Sequence, residues 1–426
     1  MRKLKVAVIG SGSTYMPELV NGFLTRTDKL AVSSFYMMDI DEPKNNIVSG
    51  LAKRMIKAKG LDIPVVVTSD LEEAITGADY IVTQLRVGRL PARILDEKIP
   101  LKYGLVGQET TGAGGFFKAL RTLPVLENIA NIMQKSAAKD AWLINFTNPS
   151  GILTEMLSAK SGLKSIGLCN APIGFEKTLR RKTNNPVDFD YDYVGLNHLS
   201  WITSVIANGK DVIPEFLEDE EFLSYAKSTD TNFLKVIGGI PSYYLNYFYN
   251  HDKIVADSKA PGATTRGEDC VAIEDDLLEM YKDESLVEKP ALLDKRGGAF
   301  YSEAAVSLID AIENDLNTTH VVSMKNGGVF PFLQNSDVAE FKCIVGKNGP
   351  VPVPLINPNI SQHIIGLIQG VKAYEKLTVE AGLNGDYNKG LAALLTNPLI
   401  GDASKAKGVF DEMLEAHKAY LPRFFA

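Results

Sequence analysis

Cysteine is scarce in this chain: Cys169, Cys270 and Cys343 are the only three among 426 residues. An odd number so widely spaced does not make a disulfide framework and points to a reducing compartment, the cytoplasm. Long hydrophobic runs are lacking as well. After a basic start, the apolar stretch at residues 6–9 ends in a glycine, too short for the core of a signal peptide. No run approaches the roughly 20 apolar residues of a membrane span, so no membrane partner is expected. Nor is positive charge in excess. The net charge of -7 argues against an extended nucleic-acid surface while leaving room for a small cationic pocket. Internal repeats and low-complexity segments are absent. With 45% hydrophobic and 23% charged residues the chain has the composition of a soluble globular protein. Its length favours two or more domains.

What is present begins at residues 5–9, a strand-like apolar run followed by Gly10-Ser11-Gly12-Ser13 and a helix-like stretch to residue 24. Strand, glycine turn and helix form a nucleotide-binding unit, in which small residues let backbone approach a pyrophosphate at the helix N-terminus. Tyr15 stands where the third glycine of G-x-G-x-x-G belongs, so the pattern alone also admits an ordinary strand-to-helix turn. A second strand-like run, residues 34–38, ends at Asp39. A carboxylate there can accept hydrogen bonds from the adenosine ribose hydroxyls, which favours NAD over NADP. Asp41 is the runner-up, and either could be a solvated turn carboxylate. Strand and helix signals then alternate through residues 65–67, 70–74, 80–83 and 142–145, the pattern of a doubly wound parallel sheet.

Ligands of such sheets collect beyond the carboxyl ends of the strands. Three segments follow such ends: residues 84–89, 145–149 and 169–172. Arg86, Arg89 and Arg93 lie close together, and guanidinium forks suit phosphate or carboxylate, although any one of them could be a surface arginine. Asn148 before Pro149 is either a turn residue or a ligand contact. The glycine-rich loop at residues 107–115 reads as a mobile strip beside a cofactor. Cys169 ends an apolar run and His198 stands in Gly195-Leu196-Asn197-His198. Thiolate and imidazole make an incomplete metal site, which by ligand softness alone suggests zinc. Buried structural roles for both are about as frequent. Among the tyrosines of residues 240–249 one could be a general base if a metal and a cation lowered its pKa from about 10. Arg266 is read in a loop.

Together these segments resemble glycoside hydrolase family 4, whose members use NAD and a divalent metal. The matching pieces run in order: Gly10-Ser11-Gly12-Ser13, Met38-Asp39-Ile40-Asp41, Arg86-Val87-Gly88 with Arg93, Gly107-Gln108-Glu109-Thr110, Thr147-Asn148-Pro149, Cys169-Asn170-Ala171-Pro172, Gly195-Leu196-Asn197-His198, Tyr244 and Arg266. The resemblance implies NAD on Gly10, Ser11, Gly12, Ser13 and Asp39. It implies a metal, usually Mn²⁺, on Cys169 and His198, with substrate oxygens completing the coordination. Arg93, Asn148, Asn170 and Arg266 would bind a phosphorylated sugar, and Tyr244 would be the base. The residue after the metal cysteine separates branches of the family. Asn170 looks like the branch that hydrolyses 6-phospho-β-glucosides, and it leaves the general acid unassigned.

The implied reaction departs from two-carboxylate glycoside hydrolysis. The sugar's C3 hydroxyl is oxidised to a ketone, C2 is deprotonated, the C1 aglycone is eliminated, water adds, and hydride returns to C3, with no net redox. The implied fold is α/β, as in lactate and malate dehydrogenases: an N-terminal Rossmann-type parallel sheet, then a mainly helical α+β second domain. We expect the boundaries 1–168 for NAD binding and 169–426 for catalysis and oligomerisation, in a homodimer or homotetramer. The competing reading is a 2-hydroxyacid dehydrogenase of the lactate or malate type. It would use His198 and Arg93 and leave Cys169 without a role.

Overall fold

Six short apolar runs build the first half of the sheet. In the computed structural model, which describes residues 1–296 and 300–426, these are β1 (Lys3–Ile9), β2 (Ala31–Met38), β3 (Val65–Thr68), β4 (Tyr80–Thr83), β5 (Trp142–Asn145) and β6 (Ser165–Gly167). They pair in parallel in the order β3-β2-β1-β4-β5-β6. β4 and β5 are buried at every position, as strands covered on both faces by helices must be. The order reverses between β1 and β4, and sheets of this kind bind ligands beyond the strand ends at such a switch point.

The second half continues the same sheet with opposite pairing. It contains β7 (Phe189–Leu196), β8 (Leu199–Ala207), β9 (Lys210–Asp211), β10 (Ile240–Pro241), β11 (Thr318–Lys325), β12 (Val338–Gly346) and β13 (Gly349–Pro352). From β6 the order runs β11-β12-β7-β8-β10, all antiparallel, with β13 on β12 and β9 on β8. The two halves meet where Gly167 of β6 faces Ser323 of β11. A Cβ on Gly167 would stand 2.3 Å from Thr154 Oγ1 and 2.9 Å from Ser323 Cβ, so only glycine lets the strands meet there.

Helices complete the second half. Tyr301–Glu313 and Gln362–Asn384 are helical, and the latter lies on the 25-residue helix Gly112–Ser136. Gly382 allows the close approach, since a Cβ there would meet Leu123 Cδ1 at 2.5 Å. No helix among the described residues is long and apolar enough to cross a membrane.

One buried polar cluster ties the C-terminal helices to the first half. Arg121 donates to both oxygens of Asp96 at 2.9 and 2.5 Å, and to the Val87 carbonyl at 2.9 Å. His417 Nε2 lies 3.0 Å from Asp96 Oδ1, with its ring stacked on Phe117. Side chains of Arg121 and Asp96 are fully buried. Removing one partner of such a pair strands a charge out of water. Arg121→Met is therefore expected to lower the unfolding free energy by about 3–5 kcal/mol, read from urea midpoints. A loss under about 1 kcal/mol would mean that the pair does not anchor the C-terminal helices.

Candidate active site

The glycine turn is built as backbone geometry demands. Gly10 has φ +90°, and a Cβ there would lie 2.7 Å from Leu85 backbone. Gly12 donates its N–H to Asp39 Oδ2 at 2.9 Å, and Asp41 N–H reaches Asp39 Oδ1 at 2.9 Å. Each oxygen of Asp39 keeps further acceptor capacity for a ribose hydroxyl. Asp41 is engaged otherwise: it caps the helix Glu42–Ala58 through Lys44 N and pairs with Arg89 at 3.0 Å. Ser11 turns inward and donates to Asn45 Oδ1 at 2.8 Å, while Ser13 Oγ accepts from Tyr15 N at 3.4 Å. Tyr15 replaces the third glycine because its side chain serves the second half. Its hydroxyl donates to the Arg296 carbonyl at 2.5 Å, and the Arg296 guanidinium lies over its ring at 5.4 Å.

Cys169 follows β6 directly and precedes the helix Ala171–Lys182, whose Ala171 N–H points at Sγ at 3.5 Å. Asn170 holds the N-cap position, its Oδ1 4.0 Å from Sγ. His198 comes from the two-residue turn between β7 and β8, at φ +65°. Gly195 makes that turn possible, because a Cβ would meet the Leu199 carbonyl oxygen at 2.2 Å. His198 Nε2 lies 3.6 Å from Cys169 Sγ, and its Nδ1 lies 3.0 Å from Thr110 Oγ1. Tyr244, in the short turn Tyr243–Leu245, stacks on the imidazole with centroids 3.6 Å apart and planes 12° from parallel. Tyr243 packs outside Tyr244 at 4.5 Å and is 51% exposed.

Burial sets the charges here. It pushes the Cys169 thiol up to about 12, with buried Glu340 adding to the rise. It pushes His198 down to about 3, helped by the Lys118 charge, and raises the Tyr244 phenol well above its usual value. A neutral imidazole is what a metal requires. With bonds of roughly 2.3 Å to sulfur and 2.05 Å to nitrogen, as for zinc, one ion bridging the 3.6 Å gap would subtend an angle of about 110°. The donor pair therefore fits a divalent ion. Among the described residues no His, Cys, Asp or Glu forms a cluster of three, so any such ion would keep open positions.

Cations line the other side. Glu109 is buried between Arg86, Lys118 at 2.8 Å and Arg93 at 3.0 Å. Burial alone would raise its carboxyl, yet the three charges hold it well below the usual range. Lys118, desolvated and beside Arg86, is pushed down to about 7. Arg93 also donates to Glu97 at 2.8 Å and approaches Cys270 Sγ at 3.6 Å, a sulfur it shares with Arg296 Nη1 at 3.2 Å. Arg266 is not in a loop. It opens the helix Arg266–Lys282, where Thr265 and Glu268 form a capping box, a signal legible as Thr-x-x-Glu. Its guanidinium is exposed and donates to the Lys295 carbonyl at 2.8 Å. Gly267 next to it donates to Glu97 at 2.6 Å, and a Cβ there would lie 3.4 Å from Arg93 Cγ. Asn148 precedes Pro149 through a cis peptide and accepts from Ser150 N at 3.4 Å.

Three contributors have no role assigned by the sequence. Glu109 and Thr110 sit in the segment 107–115 that reads as a mobile glycine-rich strip, of which Gly112–Gly115 form the first turn of the helix Gly112–Ser136. A Cβ on Gly107, Gly114 or Gly115 would collide with backbone at 1.9, 2.3 and 2.4 Å. Glu340 of β12 accepts from Asn197 Nδ2 at 3.0 Å, Tyr193 OH at 3.0 Å and Ser323 Oγ at 3.2 Å. Behind His198 a cavity of about 20 Å³, lined by Asn197, Thr110, Glu375 and Asn397 among others, has room for one ordered water. A dehydrogenase of the lactate or malate type needs a histidine polarised by a carboxylate; His198 Nδ1 meets a hydroxyl instead.

A model described as family 4 glycosyl hydrolase matches residues 5–185, and one for the C-terminal domain of that family matches residues 193–400. The chain belongs to glycosyl hydrolase family 4. A Bacillus subtilis (strain 168) member named "Probable 6-phospho-beta-glucosidase" is 41% identical, over 99% of this chain and 98% of its own. The 6-phospho-beta-glucosidase structure from Thermotoga maritima with manganese, NAD⁺ and glucose-6-phosphate superposes with a TM-score of 0.88 at 36% identity, covering 98% of this chain and 99% of that one. Likeness to malate dehydrogenase of Cryptosporidium parvum, at a TM-score of 0.52 and 18% identity over 90% of this chain and 99% of that one, concerns the fold alone.

The depressed His198 has a consequence for stability. Between its folded value of about 3 and an unfolded value of about 6.5, the unfolded chain binds a proton that the folded protein refuses. Stability is therefore full above pH about 6.5 and falls as pH drops, by about 1.4 kcal/mol per unit. His320, lowered to about 4 by burial, acts in the same direction. Urea midpoints should fall between pH 6.5 and 4, less steeply in His198→Gln. An unchanged slope in that variant would show that His198 is protonated in the folded protein.

Proposed function

We propose that this chain hydrolyses 6-phospho-β-glucosides to glucose 6-phosphate and the free aglycone, in a reaction that needs NAD and a divalent metal such as Mn²⁺. The observation that carries the reading is the buried, two-ligand pair of Cys169 and His198 under the Tyr244 ring, in the crevice whose glycine turn is held by Asp39. Asn170 after the cysteine, an amide rather than a carboxylic acid, favours β over α linkages.

In this reading NAD would supply acceptance and return of the C3 hydride, and a divalent metal would supply Lewis-acid polarisation of sugar oxygens. The chain's own residues do the rest. Gly10, Gly12 and Ser13 offer close backbone to the pyrophosphate; Ser11, through Asn45, fixes the turn; and Asp39 holds the ribose. Cys169 and His198 would hold the metal, with no third His, Cys, Asp or Glu beside them among the described residues. Tyr244 takes the C2 proton, which becomes acidic once C3 is a ketone. Burial raises the phenol, so its activation would depend on a cation beside it. Arg93 and Arg266 bind the sugar phosphate, to which arginine forks are suited. Asn148 and Asn170 hydrogen-bond the ring hydroxyls. We assign residues 1–168 to NAD binding and 169–426 to catalysis and assembly, since Cys169 is two residues past the last parallel strand. The partners in this reading are a phosphorylated β-glucoside in the cytoplasm and further copies of the chain in a homodimer or homotetramer.

Release of nitrophenol from its β-glucoside 6-phosphate should require both NAD⁺ and Mn²⁺, accumulate no NADH, and in deuterated water leave deuterium at C2 of the product. Turnover without NAD⁺, or product without deuterium, would sink the mechanism. Tyr244→Phe should cost about 10²–10⁴ in kcat, the usual worth of a general base, and abolish C2 exchange in bound substrate. Cys169→Ser should lose Mn²⁺-dependent turnover while keeping NAD⁺ affinity within twofold. If exchange survives in Tyr244→Phe and vanishes in Tyr243→Phe, the base is the neighbouring tyrosine.

A further inference from the structure

A metal-binding imidazole must present a lone pair, and which of its nitrogens does so is decided by the hydrogen bond at the other. At His198 that bond leads into the locked glycine loop. Gln108 Oε1 accepts from the backbone N–H of Thr110 at 2.5 Å and of Thr111 at 3.0 Å. An atom facing two N–H donors has to be the amide oxygen. The same oxygen lies 2.9 Å from Thr110 Oγ1, and because an amide oxygen only accepts, the threonine hydroxyl spends its proton there. Thr110 Oγ1 then has lone pairs alone for His198 Nδ1 at 3.0 Å, so Nδ1 carries the imidazole proton. The lone pair is left on Nε2, the nitrogen 3.6 Å from Cys169 Sγ.

We infer that Thr110, backed by Gln108, is a positioning residue for the divalent ion: it selects the His198 tautomer whose Nε2 lone pair faces Cys169. The inference rests on the reading of Cys169 and His198 as metal ligands. Two features keep the relay from relaxing. Gly114 and Gly115 pack so tightly that a Cβ would strike the Gln108 backbone carbonyl oxygen at 2.3 Å and the Thr110 carbonyl carbon at 2.4 Å, which holds the backbone of both residues in place. The Tyr244 ring lies flat on the imidazole, which fixes the ring plane. Partners one shell beyond a metal ligand typically govern affinity by 10- to 100-fold.

The test uses the full chain with NAD⁺ and glucose 6-phosphate present, Mn²⁺ as the probe, and electron paramagnetic resonance of free Mn²⁺ as the readout. Thr110→Val, which keeps the shape and loses the acceptor, should weaken Mn²⁺ binding about 10- to 100-fold. Thr110→Ser, which keeps the hydroxyl, should stay within about threefold, and NAD⁺ affinity should change less than twofold in both. Independently of any variant, nitrogen NMR of the metal-free wild type should report the proton of His198 on Nδ1. Wild-type Mn²⁺ affinity in Thr110→Val, a serine variant as weak as the valine one, or the proton on Nε2 would each overturn the inference. If the wild type itself binds no Mn²⁺, the metal reading falls and the inference with it. Wild-type binding with an indifferent Thr110→Val removes the inference alone.

Discussion

The site exists because two differently built half-sheets join at one pair of residues. Gly167 faces Ser323, and the absence of a side chain on Gly167 lets β6 lie against β11 with Thr154 packed behind. Cys169 is two residues past this seam. His198 is three residues past Gly195, the second glycine that a Cβ would forbid. Gly195 in turn pairs with Glu340, whose buried carboxylate gathers Ser323 from β11, Tyr193 from β7 and Asn197 from the turn. One carboxylate thus holds three of the pieces that set the distance between thiol and imidazole. A larger residue at either glycine would move the two ligands apart before it touched either of them.

Charge is arranged with the same economy. The thiol and imidazole side is kept neutral by burial, while the facing side carries Arg86, Arg93 and Lys118 around Glu109. Three cations on one carboxylate leave a positive remainder, which Glu97 offsets at Arg93. The positive field helps depress His198 and suits the crevice to an anion inside a chain of net charge -7. Cys270 takes part as a weak acceptor between Arg93 and Arg296, a role no spacing in the sequence suggests.

Local patterns carried the first half well. Strand, glycine turn and acidic strand end were legible because each is imposed by backbone geometry within a few residues. The missing third glycine was legible only as an anomaly. Its cause, the bond from Tyr15 to Arg296, spans a separation of 281 residues, which no periodicity records. The capping box that turns Arg266 into a helix start was present as Thr-x-x-Glu and went unread. The glycines of residues 107–115 have a packing reason that the sequence does not show, since glycine permits both a flexible chain and a close backbone approach, and only the tertiary neighbours reveal the second. The bare positions of Cys169 and His198 left a metal site and two core residues equally open. Their convergence from a parallel strand end and a β-hairpin turn is a property of the seam.

A thiol and an imidazole proposed to hold a metal must also be tolerated by the folded protein itself. Two charged ligands facing each other out of water would cost several kcal/mol each, and the protein avoids this by burying a thiol and an imidazole that are both uncharged at neutral pH. On the proposed reading Cys169 would hold the ion as a thiolate, and the Ala171 N–H 3.5 Å from its sulfur, at the start of a helix, would favour that charge. Two soft or borderline donors alone would select zinc, whereas open positions filled by sugar oxygens shift the preference toward harder ions such as Mn²⁺. On that reading the substrate would help to choose the metal, since sugar oxygens would fill the positions that the two side chains leave open.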